Sequence, residues 1–179
     1  MNHALKFAHA VDRLNNGFGW IAVWAAFLSC MLSAANAILR YSASLSSNAW
    51  LEIQWYLFGA CVMFGAGVVL RVNEHVRVDV LYSRYAPRTK AWVDLLGILF
   101  FLMPMSLLLM WMSWPFFVDS WHLMEKSSNE GGLIRWPVKI LIPIGFASLS
   151  LQGIAEIIKR IGFLTGVYPM DTHYERPLQ

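Results

Sequence analysis

The sequence predicts an all-α integral membrane protein in which four transmembrane helices make up nearly the whole chain. Of its 179 residues, 58% are hydrophobic, only 14% are charged and nine are Trp, a composition typical of membrane proteins. A helix needs roughly 20 apolar residues to cross about 30 Å of hydrocarbon. Four stretches meet this requirement, at residues 18–39, 50–70, 92–114 and 136–158. We therefore expect a single four-helix membrane domain over residues 1–179.

The first span is preceded by few charges and contains Ala35-Asn36-Ala37, which has the small-x-small form of a signal cleavage site. Its apolar run is about 18 residues, longer than the 7 to 15 of a signal core, so we expect a retained helix.

Small and polar side chains share one face of this first predicted helix, where membrane helices can approach closely. Two interpretations stay open, packing within the chain and binding of another membrane protein. The face consists of Ala22, Ala26, Ser29, Ser33 and Asn36.

Lys and Arg are distributed unevenly between the two sides of the predicted membrane. Ten of the 14 lie in the two tails and the central loop, and the remaining loops hold only Arg40, Lys126, Arg135 and Lys139. Since cytoplasmic loops carry the excess of positive charge, we predict that both termini and the central loop are cytoplasmic. The net charge of +3 reflects this bias, and no nucleic-acid partner is expected.

The middles of the four predicted helices contain no Asp, Glu, Lys, Arg or His. Carboxylates that carry ions are kept deep in the membrane despite a cost of at least ~2.5 kcal/mol. All five His residues lie in tails or loops, so they cannot face one another as haem ligands within a bundle. The chain is therefore not expected to carry ions by itself, and its function must involve a partner.

The fourth predicted helix carries a polar stripe, Ser148, Gln152 and Glu156, at spacings of one helical turn. Polar side chains within a span face protein rather than lipid. Lys159 and Arg160 follow Glu156 at helical spacing, which predicts an ion pair at the end of the helix.

Two prolines, Pro104 and Pro143, lie inside predicted spans and predict kinks in these helices.

Two connections have an amphipathic pattern and predict short helices in the membrane interface. In the central loop, the apolar face consists of Val78, Leu81, Tyr82 and Tyr85. In the second outer loop it consists of Phe117, Trp121 and Met124, ahead of the turn at 127–132. This outer loop is the largest surface available to an extracytoplasmic partner, so these three side chains are a candidate docking site.

A dense polar cluster follows the second span and consists of Arg71, Glu74, His75, Arg77 and Asp79. On a helix, these charges fall at i+3 and i+4 spacings and can neutralise one another, which predicts a structural role. The cluster has a single His and no thiolate, so it matches no zinc pattern. A His75–Asp79 pair also lacks a nucleophile. We therefore expect no catalytic residue, metal or cofactor, and no enzyme activity.

Several segments together resemble a known family. They are residues 52–59 (EIQWYLFG), 73–81 (NEHVRVDVL) and 91–97 (AWVDLLG), and the stretch 145–156. The chain resembles, over about residues 18–160, the small membrane subunit, or DctQ-like component, of tripartite ATP-independent periplasmic (TRAP) transporters. The Glu-His-x-Arg-x-Asp core at 74–79 is quite specific for a four-span protein of this size. Many relatives have Glu-Glu followed by Arg at the start of the second helix, whereas this chain has Glu52 and then Gln54-Trp55.

The resemblance implies a scaffold subunit in the bacterial inner membrane. A separate large subunit of about twelve spans would carry out sodium-driven uptake of an organic acid delivered by a periplasmic binding protein. Because the chain ends at Gln179, we expect the large subunit to be another polypeptide. The Gln54-Trp55-Tyr56 variant loosely resembles a branch that handles monocarboxylates such as 2-oxo acids. Two other classes stay open, an unrelated four-helix assembly or anchor protein and a membrane enzyme using the His75 cluster.

Overall fold

The computed structural model describes residues 2–45, 47–73 and 85–169, and its regular structure in these ranges is helical. The helices are α1 (Asn2–Ala43), α2 (Asn48–Val72), α3 (Pro87–Gly97), α4 (Met103–His122), α5 (Trp136–Lys139) and α6 (Leu141–Leu164). A π-helical turn, Ile98–Leu102, joins α3 to α4. Four continuous helical stretches are long and apolar enough to cross a membrane: His3–Ala43, Asn48–Val72, Pro87–His122 and Trp136–Leu164. The predicted all-α architecture with four such helices is confirmed.

Helix α1 begins at Asn2, well before the predicted start of the first span at residue 18. Its 42 residues correspond to about 63 Å of helix, roughly twice the thickness of the hydrocarbon core. The early turns are helical because they pack against α6. Ala8 and Val11 form a buried cluster with Ala155, and Ile158 packs against it.

Helix α6 lies at the centre of the fold and contacts α1, α2, α3, α4 and α5. Small residues allow this close packing. A Cβ atom added to Gly67 of α2 would lie 2.5 Å from Oδ1 of Asn15 in α1 and 3.3 Å from Oγ of Ser148 in α6. One added to Gly145 would lie 2.7 Å from Cβ of Met63. Glycines at these two positions therefore hold α1, α2 and α6 at close approach.

The third spanning stretch accommodates Pro104 through a change in helical pitch. Proline has no N–H group to donate to the preceding turn, and the π-helical turn Ile98–Leu102 lies immediately before it. The N–H of Met103 donates to the carbonyl of Ile98, five residues earlier. Pro143 lies in the first turn of α6, where the N–H group that it lacks would have no partner within the helix.

Many apolar side chains, including large aromatic ones, point away from the interior. Phe101 and Trp111 are each 78% exposed, and Val23 is 69% exposed. In a chain with four helices of membrane-spanning length, such side chains are suited to contact with lipid or another membrane helix rather than water. The interior is instead formed largely by small and polar residues.

The bundle has two ends. The terminal end contains the start of α1 and the end of α6, and the hairpin end contains residues 123–135, which we call the hairpin. Within the hairpin, Ser127 N–H donates to the Leu133 carbonyl over 2.9 Å, and Arg135 N–H to that of Glu125 over 2.9 Å. Gly131 has a φ of 71°, in the left-handed region that glycine adopts readily.

The second outer loop differs from the expected separate interfacial helix. Phe117 and Trp121 lie in the last turns of α4, which continues without a break from Met103 to His122. Met124 follows the helix end with a φ of 46°. The apolar spacing that predicted a short helix therefore belongs to the continuation of the third spanning stretch. Of the predicted central-loop face, Tyr85 alone lies in the described part of the chain.

The close approach at Gly67 yields a test. Gly67→Ala places a methyl group against Asn15 and Ser148, so we expect a loss of about 1–3 kcal/mol in unfolding free energy through overpacking. Gly17→Ala is the matched control, because no atom lies within 4 Å of its added Cβ. It should be neutral or gain up to about 1 kcal/mol from helix propensity. Thermal unfolding in detergent measures both, and equal melting temperatures for the two variants would contradict this account.

Candidate functional site

A buried polar network joins three helices at the terminal end of the bundle. All of its members lie within hydrogen-bond or ion-pair distance of another member, and most are almost completely buried. We call it the terminal network. It consists of Asp12 and Asn15 from α1, Asp94 from α3, and Ser148, Gln152, Glu156, Lys159 and Arg160 from α6.

The half of the network nearer the middle of the bundle is built mainly from uncharged groups. Ser148 Oγ donates to Oδ1 of Asn15 over 2.5 Å, and Nδ2 of Asn15 donates to Oε1 of Gln152 over 2.7 Å. Nε2 of Gln152 donates to Asp12 over 2.9 Å and to Glu156 over 3.0 Å. Asn15 and Gln152 have no exposed surface. Satisfied bonds of this kind offset the cost of removing buried amide groups from water.

The other half alternates positive and negative charges. Lys159 Nζ lies 2.6 Å from Oδ1 of Asp12 and 2.9 Å from Oε1 of Glu156. Arg160 donates from Nη1 to the other oxygen of Glu156, and its Nη2 lies 3.3 Å from Oδ2 of Asp94. Each carboxylate of the network therefore faces at least one cation.

The pairing explains how five charged groups can be held in the bundle. A buried charge is costly unless a partner and further hydrogen bonds compensate it. Here the side chains of Glu156 and Arg160 are only 6% and 3% exposed, and each is engaged by opposite charge. The network ties α1 and α3 to α6. Its charges are engaged with one another and are thus poorly suited to holding an ion or to acid–base chemistry.

A second polar site lies at the hairpin end, around Glu52 in α2. This carboxylate is 4% exposed and accepts hydrogen bonds from the hydroxyl of Ser127, from Asn129 Nδ2 over 2.9 Å and from Leu133 N–H over 2.7 Å. Tyr56, one turn further along α2, donates to the Ile134 carbonyl over 3.1 Å. These bonds attach the hairpin to α2.

Glu125 fixes the other side of the hairpin. Its carboxylate accepts a hydrogen bond from Lys139 and lies 3.6 Å from Nη1 of Arg135. The Lys139 hydrogen bond is the main cause that lowers the pKa of Glu125 below its ordinary value. Lys139 Nζ also lies 3.9 Å from the centre of the Phe116 ring, a cation–π geometry. The hairpin is therefore held by groups from α2, α4 and α5.

The structure places the predicted polar stripe of the fourth helix inside the bundle. Ser148, Gln152 and Glu156 are all buried and belong to the terminal network. Lys159 and Arg160 pair with Glu156 as the spacing indicated. In the described part of the chain, no group of three His, Cys, Asp or Glu residues is arranged to hold a metal ion.

The small-residue face of α1 is divided between two surroundings. Ala22 is buried at 6% exposure, Ser29 donates to the Gln54 carbonyl over 3.3 Å, and Ala26 is half-buried. These three therefore pack within the chain's own bundle. Ser33 is exposed, and Asn36 is half-buried. The outer part of the face thus leaves room for another helix.

The two other predicted sites are described only in part. Glu74, His75, Arg77 and Asp79 of the polar cluster lie outside the described residues. Arg71 is half-buried, and its buried Nε has no hydrogen-bond partner among the described residues. At the predicted docking site, Trp121 and Met124 are 47% and 55% exposed. The Trp121 ring packs against Trp136, with ring centroids 4.4 Å apart, so the structure brings α4 and α5 together there.

Sequence reasoning missed the contribution of α1 to the terminal network. Asp12 and Asn15 were part of a predicted polar tail, ahead of the first span. The missed signal is a helical stripe of buried residues that includes Asn15 and continues into the span: Ala8, Val11, Asn15, Ala22 and Ala25. Its spacing is that of one packed helix face.

Comparison with known families identifies the group to which this architecture belongs. Residues 29–162 match the family model described as tripartite ATP-independent periplasmic transporters, DctQ component. The chain belongs to the DctQ family. No curated protein and no solved structure matches it. A DctQ component is part of a transporter rather than a member of an enzyme family, which agrees with a four-helix membrane chain. The match includes the α3 and α6 residues of the terminal network, whereas Asp12 and Asn15 precede it.

The pairing in the network can be tested at Glu156. Glu156→Ala leaves Lys159 and Arg160 without a shared carboxylate, and breaking a buried pair in this way costs about 3–5 kcal/mol. We expect a large fall in the melting temperature of the purified DctQ chain. Glu130→Ala is the control, because this residue is exposed and should change stability by less than about 0.5 kcal/mol. Equal melting temperatures for the two variants would show that the buried pair contributes nothing.

The lowered pKa of Glu125 predicts an acid-sensitive hairpin. A carboxylate whose pKa is lowered by folding stabilises the fold fully above its unfolded pKa, and this contribution is lost as pH falls through the folded pKa. The stability difference between wild type and Glu125→Gln should therefore be greatest near neutral pH. It should shrink as the pH falls below the ordinary carboxyl range. Melting temperatures from pH 7 to about pH 3 check this, and a difference independent of pH would contradict it.

Proposed function

We propose that this DctQ component is a scaffold subunit, which supports a separate large membrane subunit and does not itself move ions or substrate. The observation that carries the proposal is the position of the charges. The membrane-spanning middles hold no Asp, Glu, Lys, Arg or His. In the described part of the chain, the buried charges at the terminal end pair with one another, and the buried carboxylate of Glu52 at the hairpin end is held by three hydrogen-bond donors. Coupled transport needs a group that can bind and release an ion within the membrane.

The proposed partners follow from the family. The large subunit, of about twelve spans, would hold the sodium and substrate sites, and a periplasmic binding protein would deliver an organic acid by transient contact. The end of the α1 face at exposed Ser33 and half-buried Asn36 is the proposed contact with the large subunit. The exposed side chains of Trp121 and Met124 support the hairpin end as a contact for the binding protein. A monocarboxylate such as a 2-oxo acid is the proposed substrate class.

The proposed location is the bacterial inner membrane, with both termini in the cytoplasm. The uneven distribution of Lys and Arg supports this orientation. It would place the terminal network at the cytoplasmic surface and the hairpin at the periplasmic surface. On this side the hairpin, held by Glu52 and Glu125, would be accessible to a soluble partner.

The scaffold proposal predicts that the chain alone is inactive in transport. When it is reconstituted in liposomes with an inward sodium gradient, we expect no uptake of radiolabelled 2-oxo acid above that of empty liposomes. Addition of the large subunit and the binding protein of the same transporter should give sodium-dependent uptake. The complete system lacking only this chain is the control for its contribution. Sodium-driven uptake by the isolated chain would refute the proposal.

The contact with the large subunit can be separated from packing within the chain. Ser29→Leu should lower the melting temperature of the chain alone, because Ser29 is half-buried and bonds to Gln54. Ser33→Leu should leave that temperature unchanged, since Ser33 is exposed, but should reduce co-purification of the large subunit by holding the helices apart. Undiminished co-purification with Ser33→Leu would exclude this part of the face as the contact.

A further inference from the structure

The two ends of the bundle differ in charge. The end of α2 and the start of α3 belong to the terminal end, because Gly67 lies against Asn15 and Asp94 pairs with Arg160. The described part of this end carries seven Lys or Arg residues and three Asp or Glu residues, within 2–17, 67–73, 85–97 and 152–169. The described part of the hairpin end carries four of each, within 36–45, 47–56 and 119–139. The excess of positive charge therefore lies at the terminal end.

The acidic side chains of the described terminal end are engaged by two buried cations. Lys159 pairs with Asp12 and Glu156, and Arg160 pairs with Glu156 and Asp94. These three carboxylates are thus neutralised from inside the bundle. The rest of the sequence does not remove the excess, because the residues outside the described part add three Arg and four Asp or Glu. The net charge of +3 remains.

Three of the remaining cations at the terminal end are exposed: Lys6, Arg13 and Arg88. In the described chain, none of them lies within ion-pair distance of an acidic side chain. Lys159 and Arg160 are successive residues of α6 and project about 100° apart, one toward α1 and the other toward α3. The exposed cations of α1 and α3 therefore lie on different sides of α6.

Arg13 is spaced to reach the lipid headgroups. Arg13 and Arg40 are both exposed residues of α1, about 40 Å apart along the helix. A bilayer with its headgroup layers is about 40–45 Å thick, so the two arginines can reach the headgroups on opposite sides. Leu14, next to Arg13, is 48% exposed. An apolar side chain beside a cation is suited to the boundary between headgroups and hydrocarbon.

The other two exposed cations lie slightly further out. Lys6 precedes Arg13 by about 10 Å of helix, and Arg88 precedes Asp94 by about 9 Å. The negative potential of an anionic lipid surface attracts Lys and Arg within about a Debye length, ~8–10 Å at physiological ionic strength. All three exposed cations are therefore within reach of such a surface.

The distribution of these cations selects the partner. A soluble protein or another membrane helix would cover one side of the bundle, whereas the headgroup layer surrounds the helix ends on all sides. The exposed cations come from helices on different sides of α6, which fits a layer rather than a single contact. Phosphate groups accept hydrogen bonds from ammonium and guanidinium groups. A lipid with net negative charge also supplies the charge that the described terminal end lacks.

We propose that the terminal end binds the headgroups of anionic phospholipids through Lys6, Arg13 and Arg88. The buried network neutralises its own carboxylates, so the exposed cations are free to pair with lipid phosphates. The hairpin end, which has as many acids as cations in its described part, has no such preference. The chain is thereby held with its terminal end at the more negatively charged leaflet, whichever subunits assemble with it.

Two pairs of exposed cations provide a matched comparison. Lys6→Gln/Arg13→Gln removes two cations from the terminal end, and Arg40→Gln/Lys126→Gln removes two from the hairpin end. All four residues are exposed, so helical circular dichroism and melting temperature in non-ionic detergent without lipid should equal those of wild type. Adding Arg88→Gln to the first pair extends the test to the α3 side.

The experiment measures binding of dansyl-labelled phosphatidylglycerol to the full chain purified in non-ionic detergent. Energy transfer from the Trp residues of the chain reports the bound lipid. Wild type and the hairpin-end variant should bind it equally well. The terminal-end double variant should bind roughly tenfold more weakly, and the triple variant more weakly still. Unlabelled phosphatidylglycerol should displace the probe from wild type, whereas phosphatidylcholine should not. Added salt should weaken binding to wild type.

Three results would overturn the proposal. The first is equal affinity of wild type and the terminal-end double variant. The second is an equal loss of affinity in the terminal-end and hairpin-end double variants, which would show that overall charge rather than the terminal end attracts the lipid. The third is displacement of the probe by phosphatidylcholine as readily as by phosphatidylglycerol. None of these readouts depends on transport, so the scaffold role is tested separately.

Discussion

The structure depends on the ion pairs and hydrogen bonds that converge on Glu156. Association of helices within lipid gains little from the hydrophobic effect, because lipid tails are as apolar as the side chains that they contact. Close packing and polar contacts must supply the attraction instead. Glu156 neutralises Lys159 and Arg160, and these two cations hold Asp12 of α1 and Asp94 of α3. Through these two cations, a single carboxylate in the central helix α6 is linked to charged groups of two other helices, α1 and α3.

The glycines complement this network. Polar side chains form bonds only when their helices are close together, and Gly67 removes the side chain that would separate Asn15 from Ser148. Gly153 lies where the π-helical turn meets α6, and a Cβ there would be 2.8 Å from the sulfur of Met103. The close approach of the helices and the hydrogen bonds between them therefore depend on each other.

Much of the fold could be predicted from the sequence, because apolar runs of sufficient length identify membrane-spanning helices directly. The polar stripe of α6 was also visible, since Ser148, Gln152 and Glu156 interrupt an apolar segment. Their partners were harder to find. Asp12 and Asn15 lie in a segment that also carries Lys6 and Arg13, so its hydropathy resembles that of a solvated tail. The role of Glu52 depends on a hairpin some eighty residues later, a contact that helical periodicity does not report.

The participation of α1 in the terminal network has a consequence for biosynthesis. A ribosome makes α1 first and α6 last, and chains enter the membrane in that order. Asp12 and Asn15 have their partners Lys159 and Gln152 near the other end of the sequence. The bonds between α1 and α6 therefore cannot form until nearly the whole chain has been synthesised, although α1 can pack against α2 much earlier. Insertion of α1 and its docking on α6 are thus separate steps in the formation of the bundle.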